Sequence, residues 1–318
     1  MRNSTCGDGT TRLTVCAKQK KHSLRSEVPF FILIAPAMIL VFLFSYLPMF
    51  GLLLAFKDYD PLKGIFGSPF TDMYGFGNFA EIFKTPELAA SIWNTLYMNV
   101  LSLVIDFPAP IIFALLLSEI GAKTFKKTVQ TISYLPHFLS WAAITGMVTG
   151  LLGEYGAIND IIKKLGGERI LFLEKEGMFL PVYLLTKVWQ SVGWGSIIYL
   201  ASIAGISQEL YEAAEIDGAG RFMQVWHITL PGILPTALIL LILDVGSIFG
   251  SNFELVYGLQ NKIAWKTEVI STAVYKYGIG QAEYSLATAL GLMQGLVALI
   301  LTFGANTISK KVSSVSMW

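Results

Sequence analysis

Two sets of side chains have the types and spacing to do chemistry. The first is Asp244, Ser247, Ser251 and Glu254, separated by three, four and three residues. On a helix these positions form one stripe. A carboxylate in the middle of a bilayer costs about +2.5 to +3.5 kcal/mol. Such a stripe should therefore face a bundle interior or a water-filled cavity, where it could relay protons or bind a polar solute. The second set is Glu209, Glu212 and Glu215, three residues apart, with Asp217 beside them. On a helix the three glutamates share a face, and they offer charge-assisted hydrogen bonds to arginines of a partner. Neither set reads as an enzyme centre. The chain has no H-E-x-x-H and no G-x-x-x-x-G-K-[ST], so it has no phosphate loop with which to hydrolyse ATP. No Ser/His or paired-Asp arrangement stands out either.

The elements that carry these residues are membrane helices. Of 318 residues, 54% are hydrophobic and 14% charged, against about 25% charged in a soluble domain. Six apolar runs approach or exceed the roughly 20 residues that span a bilayer. They lie at about 30–56, 94–118, 129–152, 179–204, 233–257 and 286–308. The runs are continuously apolar and do not alternate at period two, which excludes an outer-membrane barrel. The expected fold is an all-α membrane protein of six transmembrane helices.

Residues 1–27 form a polar, basic tail, read as disordered. It carries six Lys and Arg residues, Lys123, Lys126 and Lys127 follow the second run, and Lys310 and Lys311 lie near the C-terminus. Six spans put both termini on one side. That side is the basic one, hence cytoplasmic. The three outer segments hold ten basic and twelve acidic residues, which agrees with that orientation. Cys6 and Cys16 both lie in the tail, with no His pair nearby to make a zinc site. They read as inert thiols in a reducing compartment. The net charge of +1 gives no reason to expect nucleic acid as a partner. Among the outer segments, 156–167 ("GAINDIIKKLGG") reads as a short amphipathic helix ended by glycines.

The cytoplasmic stretch 207–231 departs from the usual Lys/Arg bias of such loops. Ser207 is a good N-cap and Gly218 a good C′ residue, so Gln208–Asp217 is predicted as a helix. Leu210, Tyr211, Ala213 and Ala214 share the face opposite the glutamates. A ten-residue helix is not stable alone, so something must hold it. A second helical piece is expected over Arg221–Thr229. The prolines of "LPGILP" are then expected to stop it and turn the chain back into the membrane. From the residues alone, this is either a solvated loop packed on its own bundle or a docking element for a basic cytoplasmic partner.

The residues of this stretch resemble the EAA signature of ABC importer permeases. Glu212, Ala213, Ala214, Asp217, Gly218, Ala219, Ile228, Leu230, Pro231 and Pro235 match it. Trp226 departs from it, standing where the family usually has Phe. "YLPMFGLLLAFKDYDPLKGIFGSPF", "FALLLSEI", "YLPHFLSW" and "FELVYGLQN" are similar to permeases for complex saccharides of the lipo-oligosaccharide, pectin-fragment and alginate type. The resemblance implies the type I importer permease fold over 28–318, in the bacterial cytoplasmic membrane. It implies a subunit with no catalysis of its own and no bound cofactor, ATP and Mg being held by a separate ATPase. It also implies a second permease, so that the pair is a heterodimer, together with two ATPase subunits and an extracytoplasmic binding protein. The EAA helix would be the coupling helix. Glu212 would meet an ATPase arginine, and Ala213, Ala214 and Asp217 would complete the docking segment. Gly218 would allow the turn between the helical pieces, Trp226 would anchor the second piece on the bundle, and Leu230 and Pro231 would lead back to the membrane.

For the solute, sugar binding calls for hydroxyl-directed hydrogen bonds and aromatic faces. The candidates are Gln190, Trp194, Asp244, Ser247, Asn252 and Glu254. Lys187, Gln190, Ser191 and Trp194 are expected on one face of the fourth helix, with Lys187 snorkelling to an interface. Asp106 is expected to pair with a kinked backbone, and His137 to have a structural partner. Gly291, Gly295 and Ala298 accompany Thr288, Gln294 and Thr302 on the sixth helix, a pattern common in helix packing. Two other readings compete: a permease for a simple disaccharide such as maltose, and a proton-coupled secondary transporter using Asp244 and Glu254. The latter predicts an internal repeat, which the two halves do not show.

Overall fold

The computed structural model describes residues 24–175, 177–248, 250, 252–260 and 267–313. Most of the predicted tail, and Ser251 of the stripe, lie outside them. Among the described residues the chain is helical and has no strand ladder. It divides into two units, residues 1–50 and 51–318. The first contains α1, Leu24–Val41, whose helix continues through a wider turn at Phe42–Tyr46.

The second unit holds α2 (Pro86–Asp106), α3 (Pro108–Ser118), α4 (Lys123–Tyr134), α5 (Trp141–Leu152), α6 (Ala157–Lys164) and α7 (Phe179–Ala204). Then come α8 (Gln208–Ile216), α9 (Arg221–Gln224), α10 (Leu230–Gly246), α11 (Phe253–Leu259), α12 (Ile270–Tyr275) and α13 (Tyr284–Ser313). Among the described residues, four helices are long and apolar enough to cross a membrane: Phe31–Phe56, Pro86–Ser118, Arg221–Gly246 and Tyr284–Lys311. The bent pair Lys123–Phe138 and Trp141–Lys164 makes a fifth if it is one span. The expected fourth run is present as α7, 26 residues long, although Lys187, Gln190 and its glycines make it less apolar than the others.

Three expected runs are corrected. The run at 94–118 begins at Pro86, where proline fits the first helical turn because its missing N–H has no partner there anyway. The run at 129–152 is two helices meeting at 101°. Pro136 lies in the tight turn between them, and Ser140 caps α5 by accepting a hydrogen bond from the Ala143 amide at 3.2 Å. The run at 233–257 ends at Gly246, and Asn252 caps the separate α11 by accepting from the Leu255 amide at 3.1 Å. The outer helix α6 is where it was expected. Asn159 secures it, its amide donating to the Gly153 and Ile170 carbonyls and its oxygen accepting from the Ile170 amide.

Packing explains the order of these helices. Ala114, Tyr199, Ile233 and Ala237 bring α3, α7 and α10 into one apolar cluster. Met98, Phe179, Tyr183, Leu255 and Val256 join α2, α7 and α11, and Ile270, Ala273, Ala289 and Leu290 join α12 to α13. At Gly193 a Cβ would run into the Ser133 carbonyl, so glycine there lets α4 lie directly on α7. Outside the spans, the Lys276 ammonium bridges Glu87 at 2.9 Å and Glu268 at 3.3 Å. The Glu87 hydrogen bond, followed by the Glu268 charge, holds that lysine above its ordinary value of 10.5. This ties the segment after α12 to the start of α2. Leucine, isoleucine and phenylalanine side chains are exposed on most of the long helices, a surface suited to lipid.

Candidate functional site

The acidic stretch folds as its caps dictate. The Ser207 hydroxyl accepts from the Glu209 amide at 3.3 Å and starts α8. Gly218 ends it at φ +80. The Ala219 amide donates to the Ala214 carbonyl at 2.8 Å, and the Gly218 amide to Glu215 at 3.0 Å. This paired closure needs a left-handed residue at the turn. The Gln224 side chain donates to the Ala219 carbonyl at 3.1 Å, and the Tyr211 and Thr229 hydroxyls meet at 2.9 Å. The short helix is thus held against the next one by its tyrosine.

Glu209, Glu212, Glu215 and Asp217 are exposed and form no ion pair among the described residues. Leu210, Ile216, Phe222, Met223 and Trp226 are exposed beside them. Two expectations fail here. Trp226 is 60% exposed and stacks on Phe222 at 6.5 Å, so within this chain it anchors nothing on the bundle. Nor do the prolines stop the helix, which runs unbroken from Arg221 to Gly246. Pro231 has no N–H to give the preceding turn, and a wider turn at Val225–Thr229 takes up the mismatch. There the Leu230 amide reaches back five residues to the Val225 carbonyl. The 26-residue run is about 39 Å long at 1.5 Å per residue. It is one continuous helix, with the acidic helix just before its start and Asp244 near its other end.

Asp244 and Ser247 line a cavity of about 310 Å³, together with Asn99, Asp106, Lys187 and Ser191. The Lys187 ammonium lies 2.8 Å from Asp106 Oδ2. The Ser102 hydroxyl bonds both, donating to Asp106 Oδ2 at 2.6 Å and accepting from Lys187 at 2.6 Å. Lys187 therefore does not snorkel to an interface, and Asp106 pairs with the lysine rather than with backbone. The other Asp106 oxygen is buried without a hydrogen-bond partner.

The remaining expected path residues are elsewhere. Gln190 donates to the His137 carbonyl at 3.5 Å, and Trp194 stacks on the His137 ring at 4.5 Å. The fourth-helix face divides because residues 187 and 191 lie a turn apart, while 190 and 194 form the adjacent row. Asn252 is spent on capping α11, and Glu254 is exposed on the first turn of that helix. Neither lines the cavity, because the break after Gly246 ends the stripe that would have carried them there. The Asp106–Lys187 pair was missed in the sequence, since a separation of 81 positions on two helices leaves no periodic signal.

The family model described as "Binding-protein-dependent transport system inner membrane component" matches residues 106–313. Protein LplB of Bacillus subtilis (strain 168) is 41% identical over 291 residues, covering 91% of this chain and 91% of that protein. The polygalacturonan/rhamnogalacturonan transport system permease protein YteP of the same organism is 43% identical over 283 residues, covering 88% and 87%. Among solved structures, a bacterial ABC transporter involved in the import of the acidic polysaccharide alginate has a chain 35% identical to this one. Its TM-score is 0.84, with 91% of this chain and 98% of that chain covered.

Proposed function

The chain belongs to the family of binding-protein-dependent transport system inner membrane components, and from that premise we propose that it is a permease subunit importing an oligosaccharide or polysaccharide fragment. It sits in the bacterial cytoplasmic membrane with six spanning helices, α7 and the bent α4–α5 pair included, and with both termini cytoplasmic. It works beside a second permease, two ATPase subunits that hold ATP and Mg, and an extracytoplasmic binding protein. The saccharide class is supported by YteP, a polygalacturonan/rhamnogalacturonan transport system permease, and by the transporter involved in the import of the acidic polysaccharide alginate.

One observation carries the mechanism. An exposed acidic helix, α8, leads through a glycine turn into a continuous helix that ends at the charged cavity. Glu212, Ala213, Ala214 and Asp217 form the docking face, Gly218 sets its angle, and Trp226 offers its exposed ring to the ATPase. Leu230 and Pro231 belong to the continuous helix, which acts as a lever. Closure of the ATPase dimer pushes α8, and the lever transmits the displacement to α10 as rigid-body rocking. Asp244 and Ser247 then contact the solute path at its far end.

The test is copurification of this chain with its second permease and an ATPase, with and without Glu212→Arg. The variant is expected to insert normally and to lose the ATPase. Normal recovery of the ATPase removes Glu212 from the docking face. Failure of any ATPase to copurify with the unaltered chain, alongside proton-driven uptake by it alone, puts the secondary transporter first.

A further inference from the structure

A second opening, unconnected with the Asp244 cavity by any residue, lies along α12 and the outer half of α13. It is a groove of about 720 Å³ whose lining includes Ser271, Tyr275, Tyr284, Gly291, Gln294 and Gly295. That volume falls in the range of small-molecule sites. Its polar groups are poorly served by the protein. The Ser271 hydroxyl is buried and has no hydrogen-bond partner. Thr288, Thr302 and Thr307 return their hydroxyls to the carbonyl four residues back. No such bond serves the Gln294 amide among the described residues, though it lies within the apolar span Tyr284–Lys311.

The aromatic groups are the opposite case, because they are held in place. Tyr275 packs at 5.2 Å against both Phe253 and Tyr257, and Tyr284 meets Tyr59 edge to face at 5.9 Å. They remain 38% and 43% exposed. The Lys276 bridge to Glu87 and Glu268 fixes the chain just beyond Tyr275. A Cβ at Gly291 or Gly295 would meet nothing within 4 Å, so these glycines stand over open space and not over a neighbouring helix of this chain.

A lipid chain in this groove would leave the Gln294 amide unpaired in an apolar medium, at a cost of several kcal/mol. A pyranose would not. Its hydroxyl rim pairs with hydroxyl and amide groups, while its C–H face lies on an aromatic ring. The geometry points to the α12–α13 groove as a carbohydrate-binding lane, with Tyr275 and Tyr284 as platforms and Gln294 as the hydroxyl contact. This deepens the importer reading and rests on it.

The glycines supply the test. Gly291→Leu and Gly295→Leu fill open space, so the chain itself should fold. Each is compared with the unaltered chain in the complete transporter, reconstituted with its binding protein and assayed with an oligosaccharide that the unaltered complex imports. The expected result is normal recovery of all subunits with import reduced at least tenfold. Gln294→Ala and Tyr275→Ala should each raise the apparent KM about tenfold, whereas Tyr275→Phe, which keeps the ring, should stay within twofold. Loss of the second permease from the Leu variants would make the groove a subunit interface and overturn the proposal. Unchanged import by those variants would overturn it as well. If the unaltered complex imports no oligosaccharide, the importer reading itself fails, a result separate from either of these.

Discussion

At the scale of single residues, the Asp106–Lys187 pair has the largest energetic consequence. Its geometry is good, with a 2.8 Å contact and a serine bonded to both partners. Burying two charges gains little over an apolar pair of the same volume, but removing one partner strands the other. The two side chains keep 29% and 15% of their surface exposed, so Lys187→Met should destabilise the chain by less than a fully buried pair would, about 1–3 kcal/mol. The double change Asp106→Asn with Lys187→Met should recover most of that loss. Thermal unfolding in detergent of the two single variants and the double variant closes the cycle, and simple additivity would mean that the pair is not coupled. The residue scale is also where sequence reading was weakest. Lys187 and Asp106 were each conspicuous as charges inside apolar runs, but their partnership depends on how α2 and α7 are packed.

At the scale of elements, capping residues explain both the successes and the failures. Ser207 and Gly218 bounded α8 correctly because a cap acts through its own few neighbours, a local matter that sequence records. Gly218→Ala should cost about 1–2 kcal/mol by forcing a side chain into the left-handed region. The expected sign is faster amide exchange and proteolysis within 207–231, with the membrane helices unaffected. Unchanged protection would mean that the turn is held by something other than its glycine closure. The misread elements also carried local signals. Pro136 with Ser140 marked the bend of α4–α5, and Asn252 marked the start of α11, but continuous apolar composition concealed both. Pro231 failed in the other direction. A stop signal by its chemistry, it is absorbed by the wide turn at Val225–Thr229.

At the scale of the whole molecule, the proposed orientation can be read with the chain's own chemistry. Cys6 and Cys16 are its two cysteines, and both precede the first span. A membrane-impermeant maleimide should leave the protein unlabelled in intact cells stripped of outer barriers and label it in inverted vesicles. Labelling in intact cells would place the N-terminus outside and reverse the docking argument.

The sequence by itself determined that this is a helical membrane protein without a phosphate-loop motif, where its long apolar runs fall, and how its acidic stretch is capped. These follow from composition, from hydropathy over a bilayer's thickness and from contacts a few residues apart. The tertiary structure alone decided that Lys187 answers Asp106, that Asn252 and Glu254 stand away from Asp244, and that Trp226 faces outward. It alone shows the helix from Arg221 to Gly246 to run unbroken past its prolines. Each of those outcomes depends on which helix faces lie against one another, and a periodic pattern states that a face is polar without stating what meets it.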